Sequence, residues 1–378
     1  MIIVLRHEYH VPNTNTSCVL STVTYHSSLY SCCLVVFKLD KMPALVCLAF
    51  CKSLVVIGTT ILIFLVVLKK ITNLVFRAVD KHSISGKHVL ITGGSSGIGK
   101  AVAIEAIKRG AHVTIIARDE KKLLKAVEEL KQAVPNPKFT QFVEYVSVDI
   151  SKDYEKIREA LVPAQDKCGP VYMLINCAGM ALCGTLEQMS MQDIKTVIDL
   201  NLYGTIHVTK ALIEGMKQRG RGAIVVTASQ AANLGIYGLA AYTSSKFALK
   251  GFAEALYMEV KQHGLTVTLC LPPDTNTPGF ENEEKSKPRE TSLISKTGGL
   301  WSAESVGKQL LEDALRGNYF STLGLESFML TTLSAGMSPI VNIQDTLIQA
   351  FLMGPLRIVA IYLHFTFDNI VKKCRKAQ

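Results

Sequence analysis

Tyr242 and Lys246 stand one helical turn apart in AAYTSSKFALK, Ser229 precedes them at the end of AIVVTAS, and Asn201 lies earlier in DIKTVIDLNLYG. Reducing a ketone requires a hydride on carbon and a proton on oxygen, and these side chains suit the second task. A tyrosine phenol has a reference pKa of about 10, so it exchanges protons near neutrality only when a cation favours its phenolate. Lys246 can supply that cation, since i,i+4 spacing puts both side chains on one helix face. The Ser229 hydroxyl can hold the carbonyl oxygen, and Asn201 can position a water that connects Lys246 to solvent. ITGGSSGIG at 91–99 adds a glycine-rich turn of the kind that receives a dinucleotide.

Such a set works only if strands and helices deliver it to one place. From His88 the chain alternates HVLIT, AVAIEAIKRG, HVTIIAR and LLKAVEELKQAV, a βαβα pattern that implies a parallel sheet with right-handed crossovers. FVEYVSVDI, VYMLINCAG, AIVVTAS and LTVTLCLPP each read as a further central strand. The expected fold is α/β, a Rossmann-type doubly wound parallel sheet of seven strands with helices on both faces.

The glycine-rich turn follows a strand and opens a helix, as a dinucleotide site requires. Gly93 permits the tight turn, Gly97 lets backbone approach a pyrophosphate, and Gly99 lets the helix pack on the strand. Ser95 and Ser96 can donate hydroxyl hydrogen bonds, and the helix N-terminus offers free N–H groups to phosphate. About 20 residues on, a carboxylate would receive ribose hydroxyls and repel a 2′-phosphate. The chain instead reads IIARDEKKL, with Ala117 in that place, Arg118 next and Lys122 on the following helix. Two cations facing one phosphate favour NADPH, provided that Asp119 does not turn inward. Asp149 can accept a hydrogen bond from the adenine amine. Asn176, Ala178 and Gly179 end another strand with residues that let a cofactor pass close.

The 378 residues exceed one dinucleotide-binding domain of roughly 250, so other segments must flank it. Hydrophobic residues make up 48% and charged ones 19%. The net charge of +10 is dispersed, and its clusters border apolar segments (Lys69 and Lys70; Lys372, Lys373, Arg375 and Lys376), which points to a membrane surface as partner and away from nucleic acid. The ten cysteines include no C-x-x-C pair and the nine histidines are scattered, so no metal site is expected. Residues 1–43 form an extension without a functional signal, although Met42 could begin a chain. The apolar run 44–68 is long enough to cross a bilayer; Lys52 would sit near an interface, and a buried core helix is the alternative. Lys69, Lys70, Arg77 and Lys81 after it favour a cytosolic position for the downstream chain. The catalytic domain is expected over 84–325. NEEKSKPR at 282–289 reads as a solvated loop or, less favoured, a substrate lid. An apolar membrane-associated region with a basic tail is expected over 326–378, with Pro339, Pro355 and Arg357 arguing against clean spans.

The ordered set of T-G-x-x-x-G-x-G (92–99), N-x-A-G (176–179), Asn201, Ser229, Tyr242 and Lys246 resembles the short-chain dehydrogenase/reductase family over residues 84–275. The resemblance implies catalytic roles for these four residues and adds Ile98, Pro272 and Thr275, with Tyr242 and Lys246 themselves, to the cofactor-facing set. Two departures are Cys177, where the family usually has a second Asn, and Ala228, where some relatives have a first serine. SQAANLGIYGLAAYTSSKFALKGFAEAL, LPPDTNTPGFENEEKSKP, SAGMSPI and FDNIVKKC look like one branch of the family, over residues 84–374. That branch reduces long-chain sphingoid ketones with NADPH at the cytosolic face of the endoplasmic reticulum, and a homo-oligomer is compatible with it. Such a substrate carries a cationic amine, for which Glu281, Glu283 or Glu284 is a candidate partner. A membrane-bound steroid or retinoid reductase, or a silent NADP-binding scaffold, would carry the same core motifs.

Overall fold

In the computed structural model, residues 81–135, 140–296 and 298–376 are described, so the expected extension 1–43 and span 44–68 lie outside them. The strands expected from the sequence form as β1 (His88–Thr92), β2 (His112–Ala117), β3 (Val143–Ser147), β4 (Val171–Asn176), β5 (Gly222–Thr227) and β6 (Leu265–Cys270). Two short pieces, β7 (Thr275–Asn276) and β8 (Trp301–Ser302), pair with each other. The edge strand β9 (Phe320–Ser321) completes a seven-stranded sheet of order β3-β2-β1-β4-β5-β6-β9, parallel throughout.

Strands β1, β4 and β5 are buried along their whole length, the state of a sheet covered on both faces. Period-two alternation divides each of them between two cores. Leu90 of β1 joins the core built with α3 (Tyr154–Ala160), α6 (Gly204–Arg219) and α7 (Ala240–Lys261). Its neighbours Val89 and Ile91 join the opposite core, with α1 (Gly97–Lys108), α2 (Glu120–Gln132) and α10 (Ala303–Arg316). The strand order reverses at β1, between β2 and β4, and a crevice opens beyond the carboxyl ends of strands at such a point.

Of the remaining helices, α4 (Val162–Cys168) leads into β4, and α5 (Met191–Ile198) passes through a π-helical turn at Asp199–Tyr203 into α6. The stretch 282–289 is largely exposed, as its charges suggested, but it is not a plain loop. Its first residues close α8 (Pro278–Glu284) and its last opens α9 (Arg289–Ser295). Between them the Lys287 side chain is only 1% exposed, paired with Glu283 at 3.0 Å and Glu284 at 2.5 Å, with its ammonium 4.7 Å from the Phe280 ring centroid. A buried ammonium is tolerable when it is paired in this way.

Beyond β9, α11 (Gly324–Ser334) is followed by α12 (Ile343–Lys376), whose 34 residues run through Pro355 without a break. Pro339 falls in the link between these helices. Helix α12 is long and apolar enough to cross a bilayer, with a mean hydropathy of 1.6 over its most apolar stretch. It exposes Phe351, Ile358, Tyr362 and Phe365 and ends in Lys373, Arg375 and Lys376.

Candidate active site

The glycine-rich turn leaves β1 with Gly93 at φ +68° and enters α1 with Gly97 at φ +55°, conformations that favour glycine. A Cβ at Gly93 would lie 2.9 Å from the Ala178 Cα, and one at Gly99 would lie 2.5 Å from the Gly93 carbonyl oxygen. Gly99 therefore has its expected packing role. Gly94, to which the sequence assigns no role, is pressed onto the Ile115 side chain. Ser96 caps α1 without a side-chain bond to it, which leaves the hydroxyl and the first N–H groups free to face an anion. Ser95 and Ile98 are half-buried beside it.

The Thr92 hydroxyl, whose part the sequence does not signal, accepts from the backbone N–H of Cys177 and of Ala178 at 3.1 Å each, fastening the ends of β1 and β4 together. Asn176 donates to Thr209 Oγ1 and the Val225 carbonyl, while its own Oδ1 is buried without a partner. Cys177 Sγ lies 3.3 Å from Thr227 Oγ1, and burial raises its thiol pKa to about 11, so it stays neutral. Arg118 and Lys122 are exposed at the end of β2 and the start of α2. Asp119 turns back onto α2, accepts from the Lys122 N–H and lies 3.7 Å from its ammonium, so it does not point inward. Asp149 accepts from the backbone and hydroxyl of Ser151. Pro272 accepts from the Gln230 N–H, and the Thr275 hydroxyl donates to the Pro273 carbonyl. These surroundings fit a dinucleotide: close-packed glycines, a helix end with free N–H groups and two exposed cations on one rim, of which Lys122 is paired with Asp119.

Helix α7 carries Tyr242 and Lys246 on one face, as its spacing requires. Lys246 is 4% exposed, its Nζ donates to the Thr227 carbonyl at 3.1 Å and lies 5.5 Å from the Tyr242 ring centroid. Burial lowers its pKa to about 8. Burial also raises the Tyr242 pKa, hydrogen bonding with Ser229 opposes that, and Glu283, Asp274 and Cys183 add to the rise. Within the chain alone burial dominates, whereas the acidification expected from the sequence draws on Lys246 and a nicotinamide ring together. Ser229 Oγ accepts from the Ala231 N–H at 3.1 Å, which leaves its own proton directed at the Tyr242 oxygen or at a carbonyl oxygen that takes its place.

Asn201 is fully buried in the π-helical turn. Its amide donates to the Met180 carbonyl and Ser245 Oγ at 2.9 Å each and accepts from the Met180 N–H at 2.8 Å. Ser245 in turn donates to the Tyr242 carbonyl. Asn201 thus ties the loop after β4 to the catalytic helix, and any part in a proton relay runs through that framework. Glu281 is exposed, and Glu283 and Glu284 hold Lys287. Asp274, unremarked in the sequence, is raised to about 6 by burial, against the neighbouring Lys287. A cavity of about 510 Å³ opens beside Cys183, lined by Thr185, Met189, Tyr237 and Arg289 among others.

The family model described as short chain dehydrogenase matches residues 87–288, which hold the glycine-rich turn and Asn201, Ser229, Tyr242 and Lys246. The chain belongs to the short-chain dehydrogenase/reductase family. It is 45% identical to the 3-ketodihydrosphingosine reductase of Bos taurus, across 77% of this chain and 87% of that protein. It is 43% identical to the 3-dehydrosphinganine reductase of Danio rerio, across 85% and 96% respectively. Among solved structures it is similar to L-sorbose reductase from Gluconobacter frateurii complexed with NADPH and L-sorbose. The TM-score is 0.57 at 26% identity, covering 65% of this chain and 97% of that one.

Proposed function

We propose that this chain reduces the keto group of 3-ketodihydrosphingosine to give dihydrosphingosine, using NADPH, with its catalytic domain (84–325) held at the cytosolic face of the endoplasmic reticulum membrane. The observation that carries the substrate is the 43–45% identity to reductases of that name over most of their length. The meeting of Ser229, Tyr242 and Lys246 at one point supports the reaction type. Helix α12 is a candidate membrane anchor, and a long-chain substrate would be met at that surface.

When bound, NADPH supplies the hydride that reduces the keto carbon. Ser229 turns its hydroxyl proton from Tyr242 to the keto oxygen and fixes that oxygen beside the phenol. Tyr242, held neutral by burial, gives its phenolic proton to that oxygen as the carbon is reduced, so the ketone gains one hydride and one proton and becomes an alcohol. Lys246 then faces a phenolate and stabilises it until solvent returns the proton. Arg118 and Lys122 support NADPH over NADH through the 2′-phosphate. Asn176, Ala178 and Gly179 border the cofactor path, and Asn201 keeps α7 in register.

The test is NADPH oxidation by detergent-solubilised full-length protein given 3-ketodihydrosphingosine, with NADH in parallel and Tyr242→Phe as control. Turnover that prefers NADPH and drops at least a hundredfold in the control is expected, since a positioned acid contributes about 10²–10⁴. NADPH binding should survive the substitution. Binding without turnover would retain the family and reject the substrate.

A further inference from the structure

Helix α11 belongs to the apolar C-terminal region, yet polar groups along it bond to the elements of the catalytic centre. Ser327, 1% exposed, receives a hydrogen bond from the Gln230 side-chain amide. Gln230 directly follows Ser229 and opens the short turn Gln230–Ala232, whose Ala231 N–H orients the Ser229 hydroxyl. The far end of α11 grips α7. Lys250 Nζ donates to the Ser334 carbonyl, and just past the helix Ser338 Oγ donates to Glu254 Oε1 at 2.6 Å. Lys250 and Glu254 continue the i,i+4 line that begins with Tyr242 and Lys246 on α7. One helix therefore bonds both to the turn that carries the serine and to the helix that carries the tyrosine.

We propose that α11 is a brace that sets the distance between Ser229 and Tyr242, with Gln230 and Ser327 as the positioning residues on the serine side. The turn also packs directly against α7, and Lys246 Nζ on that helix bonds the Thr227 carbonyl two residues before Ser229. The Gln230 N–H donates to the Pro272 carbonyl and Ala232 N–H to the Ser229 carbonyl, and both act along the backbone without fixing how far the turn lies from α7. The Gln230–Ser327 bond adds a side-chain cross-tie to that packing, because α11 is itself fastened to α7 at Ser334 and, just beyond the helix, at Ser338. The C-terminal region is then part of the catalytic machinery as well as a membrane contact. This inference rests on the proposed carbonyl reduction, in which Ser229 and Tyr242 address one oxygen.

Full-length Ser327→Ala and Gln230→Met remove the hydroxyl and the amide while nearly keeping shape. Each should lower kcat roughly five- to thirtyfold, the factor for losing one to two kcal/mol of positioning. KM for NADPH should stay within twofold, and the double variant should be no worse than either single one. Gln230→Glu, whose carboxylate can still accept from the Ser327 hydroxyl, should recover most of the rate. Hydrogen exchange supplies a reading independent of the substrate, since amides 230–232 should exchange faster in both variants while α10 is unchanged. If the wild type turns over the ketone and both variants match it, the brace is refuted. A wild type without turnover rejects the proposed substrate instead. In that case unchanged exchange at 230–232 refutes the brace, and faster exchange confined to that turn upholds it.

Discussion

Gly99→Ala isolates what the glycine-rich turn does. The added Cβ would lie 2.5 Å from the Gly93 carbonyl oxygen, 2.8 Å from its carbon and 3.2 Å from the Gly94 nitrogen. All three are backbone atoms, so relief requires the turn and the start of α1 to separate by about 1 Å, toward the usual contact distance of ~3.5 Å. The turn cannot retreat easily, because the Gly93 N–H is bonded to the Ile116 carbonyl at 2.8 Å. Overpacking of this kind costs about 1–3 kcal/mol. If that strain is relieved by moving the N–H groups that face the pyrophosphate, dinucleotide binding weakens by roughly 5- to 150-fold. Fluorescence titration of NADPH on the full-length protein, with a thermal melt in parallel, measures both effects. Gly251→Ala is the control: nothing lies within 4 Å of its added Cβ, and it sits inside α7. That change should leave binding intact and stabilise the helix by up to ~1 kcal/mol. Gly99→Ala binding NADPH within twofold of wild type, at unchanged melting temperature, would refute this reasoning.

Replacing Arg118 and Lys122 together by Ala should weaken NADPH at least tenfold while changing NADH by less than threefold, as paired titrations would show. Parallel losses for both cofactors would remove the 2′-phosphate from their role. Stability should also fall in mild acid. His82 and His88 are buried, each bonded through both ring nitrogens, and burial lowers both pKa values to about 4. Unfolded, they titrate near 6.5, so between pH 6.5 and 4 the unfolded chain binds more protons. The stability is fully present above 6.5 and is lost as pH falls through that window, by roughly 3 kcal/mol for each histidine. Urea melts from pH 7.5 to 4.5 check this, and a flat midpoint would contradict it.

Six of the seven sheet strands were legible because strands buried on both faces read as nearly continuous apolar runs, and βα alternation permits few topologies. Strand β9 was not, since two residues carry no periodicity and only the partner strand β6 makes them a strand. The residues proposed as catalytic lie near one another as their spacing implied, whereas their supports were not legible. Thr92 and Ser245 are common residue types whose bonds to the 177–178 backbone and to Asn201 depend on loops meeting in space. At 282–289 charge indicated the exposed residues but not Lys287, whose side chain is covered by two carboxylates and a ring. Pro355 misled. It removes one helix hydrogen bond, yet α12 continues through it among apolar neighbours.

Tyr242 shows why residue types alone did not determine the electrostatics. The sequence places a cation one turn away and suggests a phenol acidified toward neutrality. In the fold, burial acts on both partners at once. It raises the tyrosine, lowers the lysine to about 8, and sets Glu283 and Asp274 near enough to raise the tyrosine further. Each of these effects favours the neutral phenol, which is the form that can give a proton to a ketone. A dehydrogenase working on the alcohol needs the opposite, a phenolate ready to accept. The surroundings of Tyr242 thus keep the phenol protonated, with Ser229 as the neighbour whose hydrogen bonding opposes the rise. The placement of that serine therefore bears directly on the proton that Tyr242 holds.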